Sequence, residues 1–364
     1  MPDTTMLSMP AKTHRHDHAK SAASPDVEVK TLNLALQGGG SHGAFTWGVI
    51  DRLLEEEKVA LEGISATSAG AMNAVVTAYG FAEGGRDGAR QALANFWRRV
   101  SHAAQNSPLQ PTPFDKWMGN TALEFSPAYI AFDLISRLMS PYQFNPTNYN
   151  PLRRLLSDVV DFDRLRSHCC PIKLFLSATN VRTGRIKLFG NDEISVDAVM
   201  ASACLPFMFQ AVEIDGEAYW DGGYMGNPAI FPLIYNCDSA DVVIVHINPI
   251  ERKELPRSAG EILNRINEIS FNSSLMREMR AVDFVTSLID SGAMKGRELK
   301  RMRLHAISAH EQMTGFSVAS KLNADWEFLI QLRDIGRATA EAWLATNHAR
   351  LGVDSTVDIK AEYL

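Results

Sequence analysis

From Thr31 onward, short apolar runs alternate with longer stretches whose apolar residues recur at helical spacing. Residues 32–37 read as a strand. Residues 44–57 read as a helix with Val49, Leu53 and Leu54 on one face. A second strand is expected over 61–66. A helix of small residues over 69–81 follows, able to pack tightly on a sheet, and then a further helix over 88–100. Strands are expected at 172–178, 185–189, 212–214, 218–220 and 242–247. Asp215-Gly216 closes a hairpin between the third and fourth of these. The run 258–290 is mainly helical by its spacing, 303–307 reads as a last strand, and 326–344 as a long terminal helix. This alternation predicts an α/β fold with a largely parallel sheet.

Two segments leave that rhythm. Residues 1–28 are polar and rich in Pro, Ser and Ala, with His14, His16 and His18 in alternation, and read as a tail without a core. Residues 105–150 carry Pro108, Pro111, Pro113, Pro127, Pro141 and Pro146 among Phe114, Trp117, Phe125, Tyr129, Phe132, Tyr142, Phe144 and Tyr149. Such an insertion is either a packed subdomain or a cover over an apolar site. The expected organisation is a tail (1–28), one domain (29–310) with an insertion or lid (105–150), and a helical extension packed on it (311–364).

A length of 364 residues fits one large α/β domain with insertions. A net charge of −6, with no basic stripe, argues against a nucleic-acid partner. Cys169, Cys170, Cys204 and Cys237 form no CxxC pair, so reduced core thiols are expected rather than a metal site or a disulfide scaffold. No apolar run approaches the length of a spanning helix, and no export signal opens the chain. A cytoplasmic location with transient membrane contact is the expectation.

The chemistry concentrates at two glycine-marked turns and one strand end. In Ala66-Thr67-Ser68-Ala69-Gly70, a strand enters and a helix leaves through small residues. A serine at such a turn presents its hydroxyl above the sheet edge. Ser-x-Gly alone equally describes a turn or a helix cap. Gly38-Gly39-Gly40-Ser41-His42-Gly43 also follows a strand and opens a helix. Its spacing satisfies the dinucleotide fingerprint, but the acidic residue that should close the second strand is missing. Successive glycine N–H groups also make a nest for an oxyanion. His42 is expected to project from the loop as a surface residue. Asp221 in Trp220-Asp221-Gly222-Gly223 ends a strand, where it could serve as a base or as simple turn chemistry.

Together these elements resemble the patatin-like phospholipases over roughly residues 31–310. Ser177-Ala178-Thr179-Asn180 with Thr183-Gly184, and Ala201-Ser202-Ala203-Cys204-Leu205-Pro206, extend the resemblance in the right order. It implies a three-layer α/β/α fold and a lipid acyl hydrolase with a serine–aspartate dyad. Ser68 would be the nucleophile and Asp221 the general base. Gly38, Gly39 and Gly40 would form the oxyanion loop, supported by Gly43, Gly70, Gly222 and Gly223. No cofactor or metal is expected. A lipid ester is the implied substrate, and the aromatic insertion would cover an acyl pocket or touch a lipid surface. Two positions depart from the family pattern: Ala66 replaces the first elbow glycine, and His42 stands where Arg or Lys is common. A Ser-Asp-His triad using His246 or His305 is the rival within hydrolases. A non-catalytic lipid-binding scaffold is the rival outside them.

Overall fold

The computed structural model describes residues 29–105, 107, 110, 126–167, 170–293, 299–317 and 319–364. The tail over 1–28 with its three histidines lies outside the described residues, as do Pro108, Pro111, Pro113, Phe114, Trp117, Phe125 and Cys169. Eight strands form one sheet. They are β1 (Lys30–Leu36), β2 (Val59–Ala66), β3 (Lys173–Asn180), β4 (Ile186–Gly190), β5 (Val212–Ile214), β6 (Glu217–Asp221), β7 (Asp241–His246) and β8 (Arg303–Ser308). Each lies within two residues of its expected bounds. The order is β5-β6-β3-β2-β1-β7-β8, with β4 also on β3. Pairing is parallel from β3 through β2, β1 and β7 to β8, and antiparallel where β4, β5 and β6 join. The expected hairpin joins β5 and β6, with Asp215 and Gly216 at φ 53° and 79°, the left-handed pair that a tight hairpin requires.

Side chains alternate across the sheet and seed a core on each face. Leu32, Leu34 and Leu36 of β1 and Val243 and Val245 of β7 join one cluster; Ala35, Val242 and Ile244 join the other. Helices α1 (Gly43–Glu55), α2 (Ala69–Ala104) and Trp326–Asn347 cover the first face. Residues of Phe231–Asn236, Ala259–Asp290 and Ile359–Tyr363 cover the second. This is the expected α/β/α layering.

The helices expected over 69–81 and 88–100 run as one element broken at Gly84-Gly85, where φ is −151° and 61°. Prolines of the insertion start helices. Pro127 and Pro141 each open a helix behind Ser126 or Ser140, and Pro151, just past the insertion, does so behind Asn150, where a missing N–H costs nothing. The C-terminal Trp326–Asn347 helix shares the main core with α1. At their crossing, a methyl on Gly336 would stand 2.1 Å from the Phe45 carbonyl oxygen.

Candidate active site

The serine turn is a strained elbow. Ser68 sits between β2 and α2 at φ 56° and ψ −122°, a conformation that costs a non-glycine residue roughly 1–3 kcal/mol. Surrounding hydrogen bonds hold it there. The Ser68 N–H donates to Ser202 Oγ (3.0 Å), and the Thr67 hydroxyl donates to the Gly226 carbonyl (2.6 Å). The Thr67 N–H donates to the Leu36 carbonyl (3.2 Å), stitching the elbow to the end of β1. A Cβ on Gly70 would fall 2.5 Å from that same carbonyl oxygen. Ala66 is fully buried, so the elbow accommodates its methyl. Ser68 is half-buried between buried neighbours, the one partly exposed residue of the turn.

Because β1 lies beside β2, the glycine loop that follows β1 meets the elbow. A Cβ on Gly38 would stand 2.6 Å from Ser68 Cβ, so only glycine permits the approach. The Gly38 N–H donates to Asn227 Oδ1 (2.7 Å), and its carbonyl accepts from Asn248 Nδ2 (2.7 Å). Gly38 therefore shapes the loop rather than offering a donor. The N–H groups of Gly39 and Gly40 have no hydrogen-bond acceptor among the described residues. Gly40 has φ 59°, and a side chain there would collide with the Lys321 carbonyl. Gly43 opens α1 against Ala69, the first residue of α2.

The expectation for His42 is corrected. It does not project to solvent: it is buried, with Nε2 2.7 Å from Ser320 Oγ and its ring against Phe316 and Phe328. Burial, reinforced by the nearby Lys321 ammonium, lowers its pKa to about 3, so it is neutral. Phe316 and Phe328 lie far along the chain, and nothing local in the glycine loop announces them.

Sheet register delivers the carboxylate. β2 leaves the edge of β3 where Ala66 pairs with Leu176, and β6 takes over where Asp221 pairs with Ala178. β6 runs antiparallel, back toward the end of β2, so its last residue arrives beside Ser68. The stretches that carried the family resemblance fix it there. Thr179 Oγ1 donates to the Asp221 carbonyl (2.8 Å), and the Asp221 N–H donates to the Cys204 carbonyl (2.8 Å). Gly222 fits where a Cβ would be 2.1 Å from the Ser177 carbonyl oxygen. Gly223 packs under Phe271 and donates its N–H to Asp221 Oδ1 (2.7 Å).

Asp221 is 1% exposed, and its Oδ2 is buried without a well-formed hydrogen bond. Burial raises its pKa to about 7, against the opposing pull of the Gly223 N–H and the Ser68 hydroxyl. The serine thus acts on the carboxyl without closing a well-aligned bond, a contact of the kind that tightens as substrate binds. The histidines are engaged elsewhere. His246 Nε2 pairs with the Tyr363 hydroxyl (2.5 Å) and is lowered to about 4 by burial. His305 sits between Asp241 (3.0 Å) and Thr356 (3.1 Å). Neither hydrogen-bonds to Ser68 or Asp221.

A family model described as patatin-like phospholipase matches residues 34–234, more than half of the chain. The chain belongs to the patatin-like phospholipase family. The match takes in the glycine loop, Ser68 and Asp221, and places the protein among lipid hydrolases rather than dinucleotide-binding enzymes. Among solved structures, VipD from Legionella pneumophila is 17% identical with a TM-score of 0.35, covering 84% of this chain and 67% of its own. ExoU, in complex with SpcU from the type III secretion system of Pseudomonas aeruginosa, is 13% identical with a TM-score of 0.29, covering 86% of this chain and 53% of its own. A second ExoU–SpcU structure is 16% identical with a TM-score of 0.30, covering 92% and 65%. This chain thus spans between half and two thirds of the length of the structures it matches. A search of curated proteins gave no match.

Asn227, Asn248 and Lys321 surround the loop and were not found by sequence reasoning. Ser202 lies inside a motif already singled out, but its hydrogen bond to the Ser68 N–H is not legible there.

Proposed function

We propose that this patatin-like phospholipase hydrolyses lipid carboxylic esters through an acyl-serine intermediate made by a Ser68–Asp221 dyad. Ionised Asp221 takes the Ser68 proton as the oxygen attacks the ester carbonyl. The N–H groups of Gly39 and Gly40 accept the tetrahedral oxyanion, and the N-terminus of α2 adds its positive end. The alcohol leaves with the proton from Asp221. Water, deprotonated by Asp221, then attacks the acyl-serine, and the fatty acid departs as the serine is reprotonated.

The observation that carries this reading is the buried, unpartnered Oδ2 of a carboxyl whose pKa stands at about 7 beside the elbow serine. An exposed aspartate near 3.8 would be a poor base for an alcohol; one near neutrality matches the working pH of a general base. The engagement of His246 and His305 with other partners favours the dyad over a triad. Contact with a lipid surface is supported by Ile130, Leu134 and Leu138, which recur every fourth residue on an exposed helix of the insertion.

The test is hydrolysis of a short-chain p-nitrophenyl ester by the wild type, Ser68→Ala and Asp221→Asn, with folding checked by circular dichroism. Activity in the wild type and near-complete loss in both folded variants is the expected result. Comparable loss in His246→Ala or His305→Ala, in folded protein, would sink the dyad.

A further inference from the structure

The glycine loop is also held by residues beyond the segment that matches the family. Lys321 Nζ donates to Asn248 Oδ1 at 2.8 Å. An ammonium only donates, so Asn248 must turn its amide oxygen to Lys321 and its NH2 away. That NH2 donates to the Gly38 carbonyl at 2.7 Å. The Gly38 carbonyl and the Gly39 N–H belong to one planar peptide unit and point in opposite directions. A hydrogen bond on the oxygen therefore fixes the direction of the N–H. It also draws electrons through the peptide and strengthens that N–H as a donor.

The charge at the head of this chain is not cancelled by contact. Among the described residues Lys321 has no carboxylate at ion-pair distance. The acidic group that acts on it, Glu268, is held by Arg252 and Arg265. Burial and the Arg252 guanidinium lower the Lys321 pKa to about 8, with Glu268 opposing, which keeps it on the charged side of neutrality. The backbone at Lys321 meets Gly40, and Ser320 holds His42, so the segment is built onto the loop.

We propose that Lys321 and Asn248 form a charge relay that aims and strengthens the Gly39 N–H as an oxyanion donor. Both are positioning residues, and the inference rests on the acyl-hydrolase reading above.

The experiment uses the full chain, p-nitrophenyl butyrate and a fluorophosphonate probe, with Ser68→Ala as reference. Lys321→Met should lower kcat and the labelling rate about 10-fold to 30-fold while KM stays within about 2-fold, the signature of a group felt in the transition state. Lys321→Arg should recover to within about 3-fold, because a guanidinium can still donate to Asn248. Asn248→Asp keeps the lysine bond but cannot donate to Gly38, and should lose at least as much as Lys321→Met. The double variant Lys321→Met/Asn248→Leu should be no worse than Asn248→Leu alone.

Unchanged kcat in Lys321→Met, additive losses in the double variant, or a rise in KM alone would overturn the relay. If Lys321→Met fails to fold, Asn248→Asp decides, and wild-type kcat there overturns it equally. A wild type that neither hydrolyses the ester nor labels at Ser68 removes the acyl-hydrolase reading and the relay with it. Labelling that depends on Ser68 but ignores Lys321 removes the relay alone.

Discussion

Asp221 and Asp241 are both closed off from solvent, each about 1% exposed at the end of a strand, but Asp221 lies deeper in the protein. One ends β6 and the other begins β7. Their chemistry diverges completely. Asp241 receives Arg303 on Oδ2 and His305 and the Gly352 N–H on Oδ1, and these partners hold its carboxyl well below the usual range despite burial. Asp221 has one backbone N–H on Oδ1, a loosely placed serine, and an orphaned Oδ2. Partners and depth act together: Asp221 is the deeper of the two and has the fewer partners. A fully satisfied buried carboxylate ties the sheet together, whereas a half-satisfied one stays basic and ready to accept a proton.

The largest contrast between the two should appear in turnover. Asp221→Asn should lower ester hydrolysis by about 1000-fold or more, as loss of a unit that acts together does. Asp241→Asn should leave kcat per folded molecule within about 3-fold. Steady-state kinetics on folded protein measures both. A large kcat loss in Asp241→Asn would erase the division of labour.

Stability should show the reverse ranking. Asp241→Asn removes one member of a buried ion pair and strands Arg303. It should cost about 2–4 kcal/mol in urea unfolding at pH 7, the lower end reflecting the partial exposure of Arg303. The sign follows from the depressed pKa. The carboxylate stabilises the fold above its ordinary value of 3.8, and that contribution is lost as pH falls below it. The deficit of Asp241→Asn should therefore shrink toward zero in acid.

The two aspartates also mark how far the sequence could be read. The strands, the Asp215-Gly216 turn and the elbow follow from local patterns, because period-two runs and left-handed positions leave marks in neighbouring residues. Asp221 was legible as a strand-end carboxylate before Gly-Gly. Its near-neutral pKa was not, since that depends on a β2-to-β6 exchange along β3. The helices that open at Pro127, Pro141 and Pro151 are not legible in the sequence, because a proline that ends one helix looks the same as one that starts another. His42, Asn248 and Lys321 acquire their surroundings from residues tens to hundreds of positions away, and no spacing rule reaches that far.

The pH profile sharpens the contrast next. A base must be ionised to act, so log kcat/KM should rise with slope one up to an apparent pKa near 7, the value for Asp221. Activity at pH 5 should be about 100-fold below its plateau, a tenfold loss for each pH unit. A midpoint near 4 would mean that Asp221 has the ordinary basicity of an exposed carboxylate, and the burial argument would fail.

The smallest expected effect is also the least intuitive: losing the Asp221 carboxyl, the proposed base, should stabilise the fold. The folded-state pKa of Asp221 is raised from 3.8 to about 7, so the native state binds its proton more tightly than the unfolded chain does. Between these values the unfolded chain ionises freely while the folded protein resists, and native stability falls as pH rises. Above pH 7 the native carboxylate is charged, buried and half-partnered. A shift of roughly three units corresponds to about 4 kcal/mol at most. An asparagine carries no charge, but its NH2 group inherits the unpartnered position of Oδ2 and returns part of that gain. The net advantage of Asp221→Asn should be near zero at pH 4, grow through pH 5–7 and level off at about 1–3 kcal/mol above pH 7. Urea unfolding of both proteins at pH 4, 6 and 8 reads this directly. Asp241→Asn, measured alongside, should be destabilised by nearly the same amount at all three pH values, because that carboxylate is ionised throughout this range. Opposite signs at pH 8 from two solvent-inaccessible aspartates would locate the strained carboxyl at Ser68. The same sign from both would show that burial alone governs them.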